Sequence, residues 1–283
     1  MDYVKLSGFS DEISEITKEQ FRVLNNLGIH YFEPRGIDEK NISKLTSEEM
    51  HALKALMEEY KIQASSIGSP IGKIKVTDDF EEHFKVFENV VKAAKILGTK
   101  YIRVFSFYHE QNTEWTKEER EEVFRRIRIM IDYAQKEDVV LLHENEKDIY
   151  GDTKERCFEL MQEFNGPNFK AIFDPANFVQ AGEDTKQAYE MMKPFIAYMH
   201  IKDATKEDGE VVPSGHGDGN VEYILRDLFA SGYDGFLSLE PHLGNFKGFA
   251  ELELGAEVKN KELGGEEAFT LAYNSLATIL KNI

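Results

Sequence analysis

Val139-Val140-Leu141-Leu142-His143-Glu144-Asn145-Glu146 is an apolar run that stops abruptly in ionisable side chains. Three later segments repeat the pattern: Ala171-Ile172-Phe173-Asp174-Pro175-Ala176-Asn177, Tyr198-Met199-His200-Ile201-Lys202-Asp203, and Leu237-Ser238-Leu239-Glu240-Pro241-His242. Parallel α/β barrels build their active sites at the C-terminal ends of their strands, so a carboxylate or imidazole placed there carries more weight than one elsewhere. Working outward, short β-branched or aromatic runs predict strands at 4–9, 31–33, 63–67, 101–105, 139–143, 171–173, 197–201 and 236–239. Helices are expected near 17–27, 47–60, 79–97, 116–136, 153–164, 184–193, 219–230 and 265–281. In the third helix Phe84, Val86, Phe87, Val90, Val91, Ala94 and Leu97 are expected to line one side at helical spacing. Thr46-Ser-Glu-Glu and Thr116-Lys-Glu-Glu read as capping boxes, and Gly28, Gly98 and Gly232 fall where a left-handed residue ends a helix.

Eight strand–helix pairs at a spacing of about 35 residues imply eight parallel strands joined by right-handed crossovers. An open doubly wound sheet usually carries a Gly-rich phosphate turn after its first strand, where this chain has Ser10-Asp11-Glu12. The expected fold is therefore α/β, a single (β/α)₈ barrel domain spanning 1–283. The length of 283 residues suits it, since such barrels run to roughly 250 residues. One long connection, 243–265, containing Phe246, Lys247 and Phe249, separates the last strand from the last helix. Connections of that length are usually either functional lids or disordered.

Composition narrows the partners. A formal charge of −18 repels phosphate backbones and anionic surfaces, so neither nucleic acid nor a membrane is expected to bind. No apolar run approaches the roughly 20 residues that cross a bilayer, and no secretion signal is visible. The single Cys157 excludes an intramolecular disulfide and a thiolate-rich zinc site, and makes the cytoplasm the expected location. A homo-oligomer is left open.

Glu144, Asp174, His200 and Glu240 end four consecutive strands at matching heights. With neighbouring strands roughly 4.8 Å apart, their side chains can converge near the barrel axis. Three crowded carboxylates repel one another unless a cation neutralises them. Three hard oxygens and one imidazole suit one divalent ion, Mn²⁺, Mg²⁺ or Co²⁺, with Zn²⁺ also admissible. Taken singly, each of the four is an ordinary polar strand end, and Glu146, His143 and Asp203 are alternative ligands if the register slips by one residue.

At these strand ends the sequence resembles the sugar phosphate isomerase/epimerase superfamily, the xylose-isomerase-like TIM barrels. The likeness is carried by Glu144-Asn145, Phe173-Asp174-Pro175, His200-Ile201-Lys202-Asp203, Gly215-His216-Gly217-Asp218-Gly219 and Leu239-Glu240-Pro241. Weaker signals are Glu33-Pro34-Arg35-Gly36 and Gly68-Ser69-Pro70-Ile71-Gly72-Lys73. The resemblance implies one divalent metal on Glu144, Asp174, His200 and Glu240. It also implies proton exchange by Glu144 and Glu240, one on each face of a ketose, through an enediolate. Where the superfamily's ketose 3-epimerases hold substrate hydroxyls with a glutamate and a histidine, this chain has Tyr150 and Asn177.

Around that core, Arg35, Arg103, Asn177, Lys202, His216 and His242 are candidate substrate contacts. For Arg35, Arg103 and Lys202 the competing reading is an internal ion pair with one of the chain's 52 acids. For His216 it is a glycine-rich surface turn, and for His242 a surface position. The expected activity is a metal-dependent isomerase or epimerase of a ketose, sugar phosphate or related polyhydroxy carbonyl compound. The alternative is a metal-dependent lyase or dehydratase of a keto-inositol or keto-sugar. A nuclease and a noncatalytic sugar-binding barrel fit the residues less well.

Overall fold

The computed structural model describes residues 4–109, 114–244 and 263–283. Its barrel strands are β1 (Lys5–Gly8), β2 (Tyr31–Phe32), β3 (Gln63–Ala64), β4 (Tyr101–Val104), β5 (Val140–Glu144), β6 (Phe169–Phe173), β7 (Ile196–Ile201) and β8 (Phe236–Leu239). Six of them pair in parallel in the order β1-β8-β7-β6-β5-β4. The short β2 and β3 pair with each other. Glu33 N donates to Gly8 O at 2.9 Å on one side, and Arg103 N to Ile67 O at 2.9 Å on the other, so the ring closes. The described helices are α1 (Thr17–Asn26), α2 (Ser47–Tyr60), α3 (Phe80–Leu97), α4 (Lys117–Glu137), α5 (Lys154–Phe164), α6 (Pro175–Gln180), α7 (Thr185–Met192), α8 (Val221–Ala230) and α9 (Gly265–Asn282). Most of the 243–265 connection, with Phe246, Lys247 and Phe249, lies outside the described residues.

Local chemistry explains the element boundaries. Thr46 and Thr116 form complete capping boxes with Glu49 and Glu119, satisfying N–H groups that the first helical turn leaves free. Gly98 ends α3 at φ 85°, a conformation a side chain rarely adopts. Helix α6 is not expected from the sequence. Asp174 caps it by accepting from Asn177 N at 3.1 Å, and Pro175 occupies the first turn, where its missing N–H costs nothing. Two antiparallel hairpins, pairing Gly36–Ile37 with Lys40–Asn41 and Asp203–Ala204 with Val211–Val212, are likewise additions to the expected elements.

Alternation along the strands places the site. Leu142, Ile172 and Tyr198 pack together with Tyr101, Val140 and Phe236 as one cluster inside the ring. Leu141, Ala171, Phe173, Met199, Leu237 and Leu239 belong instead to the large cluster between ring and helices. Residues two apart on a strand share a face. Two positions beyond Leu142, Ile172 and Tyr198 stand Glu144, Asp174 and His200, so the inward face delivers them to the mouth. On β8 the same step leads from Phe236 through Ser238 to Glu240.

Candidate metal centre

Glu144, Asp174, His200 and Glu240 are all buried, and each offers a ligand atom within 4.8 Å of the others'. His200 Nδ1 lies 2.7 Å from Glu144 Oε1 and 3.7 Å from Glu240 Oε2. Its Nε2 lies 3.1 Å from Glu33 Oε2 on the opposite side. The ring is further confined by edge contacts with Phe9 and Tyr198 at 5.1 and 5.7 Å between centroids.

Three buried cations face these acids. Lys202 Nζ is 3.0 Å from both Asp174 Oδ2 and Glu240 Oε2. Arg103 Nη1 reaches Glu144 Oε2 at 3.1 Å and Glu240 Oε1 at 3.6 Å, while its fork also meets Gly68 O and Ser69 O. Arg35 binds both oxygens of Asp11 at 2.8 and 3.0 Å, Glu12 at 3.2 Å and Glu240 Oε1 at 3.1 Å. The Phe9 ring lies against both guanidinium groups, 4.2 Å from Arg35 and 4.7 Å from Arg103.

Electrostatics arise from this crowding. Burial alone would raise Glu240, but Lys202, His242, His200 and Arg103 hold it well below the usual carboxylate range. Glu144 is likewise lowered against burial by His200 and Arg103. Asp174 is pushed up to about 7, because burial and two neighbouring glutamates outweigh Lys202. His200 is raised to about 10: burial opposes its charge, but Glu144 and Glu33 overcome it. Without a metal, protons and an ammonium group thus do the neutralising.

The donor set fits a divalent ion. Asp174 Oδ2 is buried and accepts no hydrogen bond, because Lys202, though close, is not in line for one. Three carboxylates and one imidazole match the preference of hard or borderline dications.

The alternative ligands are engaged elsewhere. His143 turns to the outer face of β5, against Phe169, and a Cβ on Gly151 would come within 2.5 Å of its ring, so glycine is required there. Asp203 accepts from the N–H groups of Gly215, Gly217 and Gly219 at 2.8, 3.1 and 2.8 Å. That clasp explains the glycines of the Gly215–Gly219 loop. Glu146 pairs with Lys73 at 3.0 Å.

Of the proposed substrate contacts, Arg35, Arg103, Lys202, Asn177 and His242 gather at the centre. Asn177 Nδ2 donates to Asn145 O at 2.9 Å and Glu144 Oε1 at 3.4 Å. His242 is buried rather than on the surface, with φ 47°. Its N–H donates to Glu12 Oε2 at 2.6 Å, and its Nε2 lies 3.5 Å from Glu240 Oε1. His216 is exposed, and among the described residues no hydrogen bond or ion pair joins it to the cluster. Two acids to which the sequence reading gives no site role complete the surroundings. Glu12, which burial pushes up to about 8, lies under Arg35, and Glu33 lies under His200. Glu33 comes directly after a barrel strand, so the strand-end criterion applied to β2 would have found it. Glu12 sits in a 3-10 turn and carries no such signal.

A family model described as xylose isomerase-like TIM barrel matches residues 21–260. The chain belongs to the xylose isomerase-like TIM barrel family. A curated relative, the 3-dehydroshikimate dehydratase of Bacillus anthracis, is 25% identical over 135 residues, 48% of this chain and 48% of that protein. The match therefore spans about half the length of that relative. Among solved structures, the family fold is shared with the IolI protein, determined with a bound zinc atom, at a TM-score of 0.76 and 18% identity, covering 99% of each chain. A D-allulose 3-epimerase from Methylomonas sp. gives a TM-score of 0.75 at 14% identity, covering 99% of this chain and 98% of the epimerase. The family's neighbours thus include both epimerases and a dehydratase. Among the described residues no helix is long and apolar enough to cross a membrane.

Proposed function

We propose that this chain is one barrel domain acting as a divalent-metal-dependent isomerase or epimerase of a ketose, sugar phosphate or related polyhydroxy carbonyl compound. The observation carrying this reading is the convergence of Glu144, Asp174, His200 and Glu240, all buried, within 4.8 Å of one another at the barrel mouth. When bound, a Mn²⁺, Mg²⁺, Co²⁺ or Zn²⁺ ion would polarise the substrate carbonyl and acidify the adjoining C–H. Glu144 and Glu240 stand on separate strands, so one takes the proton and the other returns it across an enediolate. Both are kept ionised by their cation neighbours, which makes them weak bases suited only to a C–H already acidified. Arg103, Arg35 and Lys202 hold the negative charge that develops on substrate oxygen. Asn177 fixes the orientation of Glu144.

A metal-dependent dehydratase or other lyase is the second reading, and one observation favours it. Tyr150, at the position where the resembling epimerases hold a substrate hydroxyl, gives its own hydroxyl to Glu159 and packs against Trp115 and Phe124. The kinship with a dehydratase points the same way. Both readings begin with the same proton abstraction and differ in the fate of the enediolate, which is either reprotonated or expels a β-leaving group. Metal-loaded protein incubated in D₂O with a panel of ketoses, sugar phosphates and keto acids separates them. Isomerisation yields deuterated products of unchanged skeleton, elimination yields products lighter by one water, and no exchange on any member contradicts both.

A further inference from the structure

Glu33 is 1% exposed, and its Oε2 accepts three hydrogen bonds, from Ser238 Oγ at 2.7 Å, Tyr198 OH at 3.0 Å and His200 Nε2 at 3.1 Å. Its Oε1 is buried with no hydrogen-bond partner. Among the described residues, the one ion pair Glu33 makes is with His200. A carboxylate taken out of water costs several kcal/mol unless a positive charge compensates it. Among the described residues, that charge reaches Glu33 through the His200 ring.

The placement of the other two donors is informative. Tyr198 precedes His200 by two residues on β7, and Ser238 precedes Glu240 by two on β8. The acceptor oxygen is therefore pinned by the same two strands that carry two of the four cluster residues. With Nε2 held from below, Nδ1 is the nitrogen left facing Glu144 and Glu240.

We propose that Glu33 is a positioning residue for the metal centre. It binds the Nε2–H of His200, fixes that tautomer and ring orientation, and so assigns Nδ1 as the ligand atom. Partners of this kind raise the basicity of a ligating imidazole, and their loss typically lowers metal affinity by about 10–100-fold. The inference rests on the proposed metal site, and the test separates the two.

Mn²⁺ and Zn²⁺ are titrated calorimetrically into the metal-stripped full chain, as wild type, Glu33→Gln and Glu33→Ala, with His200→Ala as reference. Wild type should bind one ion, and Glu33→Ala about 10–100-fold more weakly. Glu33→Gln, whose amide oxygen can still accept from Nε2, should lose less. Wild-type protein with ¹⁵N-labelled histidine and Zn²⁺ should show Nε2 protonated and Nδ1 bound to metal, a readout that needs no variant to fold. Affinities of both variants within twofold of wild type, or Nε2 as the metal-bound nitrogen, overturn the role of Glu33. Failure of wild type to bind either ion overturns the site reading beneath it.

Discussion

The two halves of the barrel mouth do opposite jobs. Strands β5 to β8 supply the four converging cluster residues, Glu144, Asp174, His200 and Glu240. Strands β1 to β4 and the turns after them supply two cations for those residues, Arg35 on Glu240 and Arg103 on Glu144, with Asp11 and Glu12 holding Arg35 and Glu33 holding His200. Lys202 crosses the division, a lysine rooted on the acidic side. The acidic half can exist buried because Arg35 and Arg103 from the other half, Lys202 beside it and the protons of His200 and Asp174 offset its charge, and a metal would take over part of that task.

Breaking the acidic half should have the largest effect. Glu240→Ala removes the carboxylate on which Arg35, Lys202 and His242 converge, leaving Lys202 with Asp174 alone and Arg35 with Asp11 and Glu12, at a cost of up to about 3–5 kcal/mol. Chemical denaturation of the metal-free protein should show that loss, together with abolished turnover. Stability equal to wild type would mean the cations find other partners.

Lys202→Met sharpens the comparison by producing a split. The ammonium shares Asp174 and Glu240 with the proposed ion, so removing it should tighten metal binding. Turnover should nevertheless fall about 10²–10³-fold, the usual consequence of losing a group that stabilises developing negative charge. Weaker metal binding and unchanged turnover would place Lys202 among structural ion pairs.

The division of the mouth is unevenly legible in the sequence. The ligand half can be read because each residue comes directly after an apolar run, and alternation from Leu142, Ile172 and Tyr198 carries Glu144, Asp174 and His200 to one side. All eight longer helices are legible for similar reasons, since caps such as Thr116 and periodic apolar faces are local signals. Helix α6 escapes a reading that takes Asp174 solely as a strand end, although Asp174-Pro175 is itself a helix-start signature. In the balancing half Arg35 and Arg103 are legible as cations after β2 and on β4, but their partners are not. Glu12 lies 23 residues from Arg35, on the neighbouring strand's turn, and 230 from His242, which ring closure brings to it.

The pH response offers a smaller effect with a definite sign. His200 is raised from 6.5 to about 10 in the metal-free fold, so the folded chain holds that proton more tightly than the unfolded one. Its stabilisation is complete below pH 6.5 and is lost as pH rises through 10. Glu12 and Asp174, pushed up to about 8 and 7, act with the same sign from lower pH. The unfolding midpoint of metal-free protein should therefore decline across this range. Saturating metal should flatten the part due to His200, because Nδ1 then carries the ion instead of a proton.

His216→Ala should do least. The residue is exposed and apart from the cluster, so stability should stay within about 0.5 kcal/mol and metal affinity should not change. A raised KM with unaltered metal binding would return His216 to the substrate contacts.

The most direct measurement is a crystal structure of the full chain soaked in Mn²⁺, with anomalous difference maps collected at the manganese edge. The account predicts one peak held by Glu144, Asp174, Glu240 and His200 Nδ1, with Lys202 Nζ withdrawn from between Asp174 and Glu240. A mouth with no peak, and Lys202 still bridging the two carboxylates, would contradict it.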